Sequence, residues 1–361
     1  MNKRPFIILS AFLLLFSLIE KGQATETYRP ETSVAGFIQL PGSGRQVYNF
    51  NPGWRFFRGD VQGAEAVNFD DRSWNVVSTP HTVELMPAEG SGCRNYQGPA
   101  WYRKHFVLPA ETKGKRVVLH FEAAMGKQIL YLNGKRIQEH LGGYLPFTLD
   151  LTANGVQAGD SCLLAVFTDN SDDKSYPPGK RQYTLDFAYH GGIYRDVWMI
   201  AKSPVAITDA IDSQTVGGGG VFVHFDKISE KSAQVYVNTE VQNDDARSES
   251  VTVETTLTDA DGKVIKRSSG KLSLKPGEKK SIRQQMEVKN PTLWSPDTPY
   301  LYRVQSRIKK GNKSIDGGIT RVGIRLAEFR GKDGFWLNGK PFGQLVGANR
   351  HQDFAYVGNA L

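Results

Sequence analysis

The chain has 361 residues, 39% of them hydrophobic and 23% charged, with a formal net charge of +8. These proportions exclude a disordered polymer, and the length exceeds that of one ordinary domain. The positive residues are scattered, and a cluster such as Lys113-Gly114-Lys115-Arg116 sits in a turn-like setting. No groove-fitting element accompanies it, so a solvated basic surface is expected and no nucleic-acid partner.

At the N-terminus, Phe6 to Ile19 carry no charge, Lys3 and Arg4 precede them, and Gly22-Gln23-Ala24 follow. That run is shorter than the roughly 20 apolar residues of a spanning helix. Residues 1–24 are therefore expected to be a cleavable secretory signal, with export to the periplasm or beyond and no membrane span. Cys93 and Cys162 are too few to form a disulfide framework and are expected to stay unpaired. No C-x-x-C or His/Cys cluster is present, so neither a metal nor another cofactor is expected.

Short β segments punctuated by turns follow. In residues 116–122, Val117, Leu119 and Phe121 fall on one face of a strand, and residues 128–132 run into Asn133-Gly134, a tight-hairpin signal. Cys162 to Thr168 is a further apolar run. Strands at this spacing predict a β-sandwich over residues 45–203. Trp54, Trp74 and Trp101 read as core fillers and Arg195-Asp196 as a structural ion pair at the sandwich edge.

From Pro204 the pattern repeats: Val221–Phe225, Ala233–Val241, Val251–Leu257 and Lys280–Val288, with a turn at Asp259–Gly262. Residues 204–320 suit an immunoglobulin-like β-sandwich acting as spacer and brace. Residues 321–361 hold a hairpin at Trp336–Pro341 and then Gln344–Ala348, which reads as a strand buried on both faces, as in a parallel barrel. Polar residues after such a strand sit where barrel enzymes place their active sites, so Asn349, Arg350 and His351 are candidates for contacting sugar-like hydroxyls. One parallel strand cannot bury itself, and this tail is expected to be the opening of a truncated domain.

Several motifs carry a resemblance in a set order. They are Phe50–Phe56, Phe69–Trp74, Val77–His81, Gly98–Arg103, Leu132-Asn133-Gly134, Gly191–Val197, Pro291–Pro296, Gly323-Ile324-Arg325 and the Asn349-Arg350-His351 tail. Together they resemble glycoside hydrolase family two, its β-galactosidase-like branch in particular. The resemblance implies a jelly-roll sugar-binding domain, an immunoglobulin-like sandwich and the first strand of a (β/α)8 catalytic barrel. It implies a retaining enzyme acting on terminal β-linked sugars of a glycan or oligosaccharide, with two carboxylates about 5–5.5 Å apart. It also implies that an acidic residue of a sandwich loop reaches the sugar pocket, a position that Asp169, with Asn170 beside it, matches best. The family's Asn-Glu acid/base pair and His-Tyr-Pro motif are absent from these residues, and Glu328, Asp333 and Asp353 lack a matching partner. No catalytic residue is therefore assigned, and the chain alone is expected to be inactive. A non-catalytic carbohydrate-binding module and a purely structural surface protein are the competing readings, and a homo-oligomer stays open.

Overall fold

The structure is a computed structural model that describes residues 27–32, 39–88, 95–349 and 353–360. The expected signal segment, Cys93, Arg350 and His351 lie outside the described residues. Among the described residues every strand-to-strand pairing is antiparallel, and no helix is long and apolar enough to cross a membrane.

The first unit is a sandwich of two sheets. One has the order Glu31–Thr32, Gln46–Asn49, Val197–Lys202, Arg116–Phe121, Phe147–Asp150. The other has the order Asn75–Val77, Trp54–Arg58, Pro99–Val107, Ser161–Asp169, Lys127–Leu132, Lys135–Leu141. Val117, Leu119 and Phe121 alternate into the space between them and meet Leu130, Leu164 and Tyr102 from the facing sheet. Period-two alternation is what lets one face of each strand fill that core. Asn133 and Gly134 both adopt positive φ in the two-residue turn between Lys127–Leu132 and Lys135–Leu141. The sandwich also takes in residues before position 45: the Tyr28 N–H donates to the His105 carbonyl at 2.8 Å, and the Tyr28 ring packs edge-on against Phe50.

The second unit is again two stacked sheets. Val205–Ile207 and Val221–Asp226 flank one edge of Ser232–Asn243, and Lys279–Lys289 pairs with its other edge. Val264–Leu274, Glu249–Thr258, Tyr302–Lys310 and Lys313–Val322 form the facing sheet. Val235, Met286, Leu257 and Val304 close the core. Charge joins the two units: Arg45 grips the buried Asp316 through two hydrogen bonds of 2.8 Å, and Arg116 spans Asp150 and Asp244 at 2.6 Å each.

The tail corrects one expectation. Ala327–Phe329, Phe335–Leu337 and Lys340–Gly343 make a small antiparallel sheet, docked on the second unit where Asn338 donates to the Trp294 carbonyl. Gln344–Ala348 then forms no strand and lies exposed, with Val346 at 86%. A strand needs a neighbour to satisfy its backbone, and none stands beside these residues.

Candidate functional site

Hydrogen bonds in the first sandwich show why several motif residue types are needed. Asn51 accepts at its side-chain oxygen from the Val197 N–H (2.7 Å) and the Thr79 hydroxyl (2.8 Å), and donates to Asp196 (2.7 Å). Asp196 is thus held by Asn51, while Arg195 lies over the Tyr194 ring. The expected Arg195–Asp196 ion pair is replaced by these two contacts. Arg103 and Asp71 form an ion pair at 2.8 Å with side chains 0% and 1% exposed, and His105 joins Asp71 at 3.1 Å. Burial opposes the Asp71 charge, yet the hydrogen bonds from His105 and Arg103 keep its carboxyl below the usual range. Trp54, Trp74 and Trp101 are buried.

Asp169 is the last residue of the Ser161–Asp169 strand, paired on either side with Pro99 and Lys127. Gly126 allows the close approach here, because a Cβ at that position would lie 2.0 Å from the Asp169 carbonyl oxygen. One carboxylate oxygen of Asp169 accepts from the Ser171 N–H at 2.8 Å, which turns the chain out of the sheet. The turn brings Tyr176 near three carboxylates. Burial first, and then Asp173, Asp169 and Glu139, push its phenol up to about 12. Asp169 therefore belongs to a half-buried, acidic rim that also carries the Tyr176 ring.

Asn170 is spent differently. It is 3% exposed, donates to the carbonyls of Tyr96 and Tyr189 (both 2.8 Å), and accepts from the Gly98 N–H at 3.0 Å. Its amide clamps the 95–98 and 171–189 loops and positions Asp169. Gly191 and Gly192 pack behind it: a Cβ on Gly191 would stand 2.8 Å from the Asn170 side chain, and one on Gly192 would stand 2.4 Å from the Tyr102 hydroxyl.

The tail returns to this same end. The Met86 N–H donates to the Tyr356 carbonyl at 2.8 Å, and Val357 and Ala360 pack with Met125, Tyr189 and Tyr194. Asp353 stands 3.3 Å from the buried His190 imidazole, an electrostatic contact and not a well-aligned hydrogen bond. Burial lowers the His190 pKa against the pull of Asp353. Asn349 is exposed, and no side-chain contact joins it to Asp169. Of the expected tail ligands, Arg350 and His351 lie outside the described residues and Asn349 stands apart from Asp169; Asp353, to which no ligand role was assigned, anchors the tail at His190. Glu328 is taken up by Arg330 at 2.7 Å and Asp333 lies in a 3-10 turn.

Sequence reading missed His190 and Asp353 as partners, since nothing local marks a pair so far apart. It also missed His81, whose Nδ1 shares a 2.8 Å hydrogen bond with the Tyr102 hydroxyl and whose pKa burial pushes down to about 4. Among the described residues no three His, Cys, Asp or Glu side chains gather to hold a metal. A cavity of about 800 Å³ lies elsewhere, where Leu108, Val117 and Val156 face Pro204 and Asp244 of the second unit. It sits at the opposite end of the Ser161–Asp169 strand, roughly 27 Å from Asp169. Its ion-paired walls carry no aromatic ring, so we place the candidate site at the Asp169 end.

Comparisons with known proteins agree with the fold. Residues 57–204 match the profile described as glycosyl hydrolases family 2, sugar binding domain, and residues 219–325 match the profile of glycosyl hydrolases family 2. A β-glucuronidase of Formosa agariphila is 34% identical over 335 residues, covering 88% of this chain and 33% of the relative. A β-galactosidase of Thermoanaerobacter pseudethanolicus is 34% identical over 318 residues, covering 88% and 40%. Among solved structures, a Bacteroides uniformis β-glucuronidase superimposes with a TM-score of 0.78 at 32% identity, covering 88% of this chain and 36% of that one. The chain thus spans about a third to two fifths of the length of these relatives.

Proposed function

The chain belongs to glycosyl hydrolase family 2, and from that premise we propose that it is the exported front portion of a retaining glycosidase that removes terminal β-linked sugars from glycans. The observation that carries the reading is the Asp169 rim, held by Asn170 at the end of the sandwich to which the tail returns. In this reading Asp169 reaches over a sugar whose glycosidic bond is cleaved by carboxylates lying beyond residue 361. Retention needs a nucleophile and an acid/base about 5–5.5 Å apart around an oxocarbenium-like transition state. A sandwich carboxylate would add hydrogen bonds to ring hydroxyls, which count toward rate only where they strengthen in that state. Relatives named β-glucuronidase and β-galactosidase are equally similar at 34% identity, and both names support a terminal β-glycoside as the substrate class.

The test is the reading frame past the Leu361 codon and the protein it encodes. A continuation with an Asn-Glu pair and a second glutamate, whose Asp169→Ala variant loses kcat/KM on nitrophenyl β-glycosides while keeping its fold, supports the proposal. An Asp169→Ala variant of unchanged kcat/KM removes Asp169 from the site. The exposed, strandless Gln344–Ala348 stretch favours one other reading, a self-sufficient carbohydrate-binding module. Under it the chain alone binds galactose or glucuronic acid at millimolar concentration and loses that binding in Asp169→Ala.

A further inference from the structure

We infer that the outward face of the Val221–Asp226, Ser232–Asn243 and Lys279–Lys289 sheet is a second glycan-binding surface, one that selects chains carrying a uronate carboxylate. It rests on the reading of the chain as part of a glycan-degrading enzyme.

Register sets the array. Phe222 pairs with Asn238, which pairs in turn with Arg283, and His224 pairs with Tyr236, which pairs with Gln285. All six side chains share the outward face, because Val235, Val237 and Met286 alternate into the core. His224 and Tyr236 stack at 5.0 Å with rings 12° apart, Phe222 lies 5.8 Å from His224, and the Arg283 guanidinium lies over Tyr236 at 4.2 Å. Arginine only donates, so its 3.4 Å contact with His224 Nε2 makes that nitrogen the acceptor and puts the imidazole proton on Nδ1. The guanidinium is thus held in place by a ring and an imidazole. Among the described residues it forms no ion pair with a carboxylate, unlike Arg45, Arg103 and Arg116.

The partner sheet shows the contrast. Its outward side carries Thr252, Glu254, Arg307 and Lys309, without a ring, and Lys309 is already paired with Glu254 at 2.9 Å. This face thus presents an exposed ring, Phe222, beside an exposed guanidinium that is free of carboxylates among the described residues. Phe222 is 41% exposed, and an ordered arginine matches a carboxylate with two parallel hydrogen bonds. Sugar rings offer C–H faces to Phe222 and hydroxyls to the Gln285 amide, which is held by Gln234 at 2.9 Å. The array measures roughly 10 Å by 7 Å, the footprint of two sugar rings. The net positive charge of the chain favours the approach of an acidic polymer.

The test titrates the full chain with a glucuronate-containing tetrasaccharide and with its carboxyl-reduced form, followed by calorimetry or NMR. The expected result is millimolar binding of the acid and binding about tenfold weaker of the reduced form. Arg283→Gln should erase the preference, and Phe222→Ala should weaken both ligands about tenfold. Equal affinity of the unaltered chain for both ligands, or no binding of either, overturns the inference without any variant. So does a dimer, seen in sedimentation, that Phe222→Ala dissolves. Loss of binding in Asp169→Ala with Arg283→Gln unaffected moves the ligand to the first sandwich and overturns it too. Turnover by the longer protein tests the enzyme reading separately.

Discussion

The His190 imidazole and the Asp353 carboxylate lie 3.3 Å apart although 163 positions separate them in the chain, and this contact fastens the tail to the loop that carries the candidate site. Tyr189, next to His190, accepts the Asn170 amide through its carbonyl. The turn after Asp169 and the segment after His351 are thereby tied to the same two residues. Gly358 presses on the imidazole, where a Cβ would come within 2.2 Å of Nδ1, so the imidazole is packed tightly against the tail.

Acid should loosen this end. Burial lowers His81, down to about 4, and lowers His190 as well, so the folded state binds fewer protons than the unfolded chain. Stability from such groups is complete above the unfolded value near 6.5 and falls as pH drops from there toward the folded value. For His81 alone the loss at pH 5 is about 2 kcal/mol. Urea unfolding at pH 7.5 and pH 5 measures it, and His81→Gln should flatten the difference.

Replacing Asn170 by Ala removes three hydrogen bonds at a buried site and leaves the Gly98 N–H without its partner. The expected cost is about 2–4 kcal/mol. Amide exchange checks the mechanism: Gly98 should lose protection while the paired amides of Ser161–Asp169 keep theirs.

The Arg103–Asp71 pair offers a sharper stability test. Arg103→Met strands a nearly inaccessible carboxylate with only His105 beside it, an expected loss of about 3–5 kcal/mol. Adding Asp71→Leu should recover part of that loss, since an apolar pair needs no desolvation. A double variant no more stable than Arg103→Met would show that the ion pair is not the origin of the effect.

Limited proteolysis should cut first within residues 344–349, which are exposed and outside any sheet, and later in either sandwich. The fragment from Asp353 onward should stay associated while Met86 and His190 hold it. Mass spectrometry of early products reports both.

Period-two patterns made strands such as Arg116–Phe121, Lys127–Leu132 and Ser232–Asn243 legible, because each has one face in a core. Asn133-Gly134 was legible because few dipeptides accept positive φ twice. Val264–Leu274 was not: as an edge strand rich in Lys, Arg and Ser it buries little and leaves no apolar rhythm. Gln344–Ala348 misled for the opposite reason, since an apolar run signals burial only where a partner surface exists. At the candidate site Asp169 was named only through the family resemblance, and the Asn170 clamp and the His190–Asp353 contact depend on loops brought together by the fold, which no local pattern encodes.

The central claim is that residues 1–361 contribute a sugar-facing wall and not the carboxylates that break the bond. Assaying the purified chain with nitrophenyl β-galactoside and β-glucuronide tests it most directly. No turnover above the buffer rate is the predicted result. Hydrolysis that follows the chain through every purification step and persists at constant specific activity would contradict it.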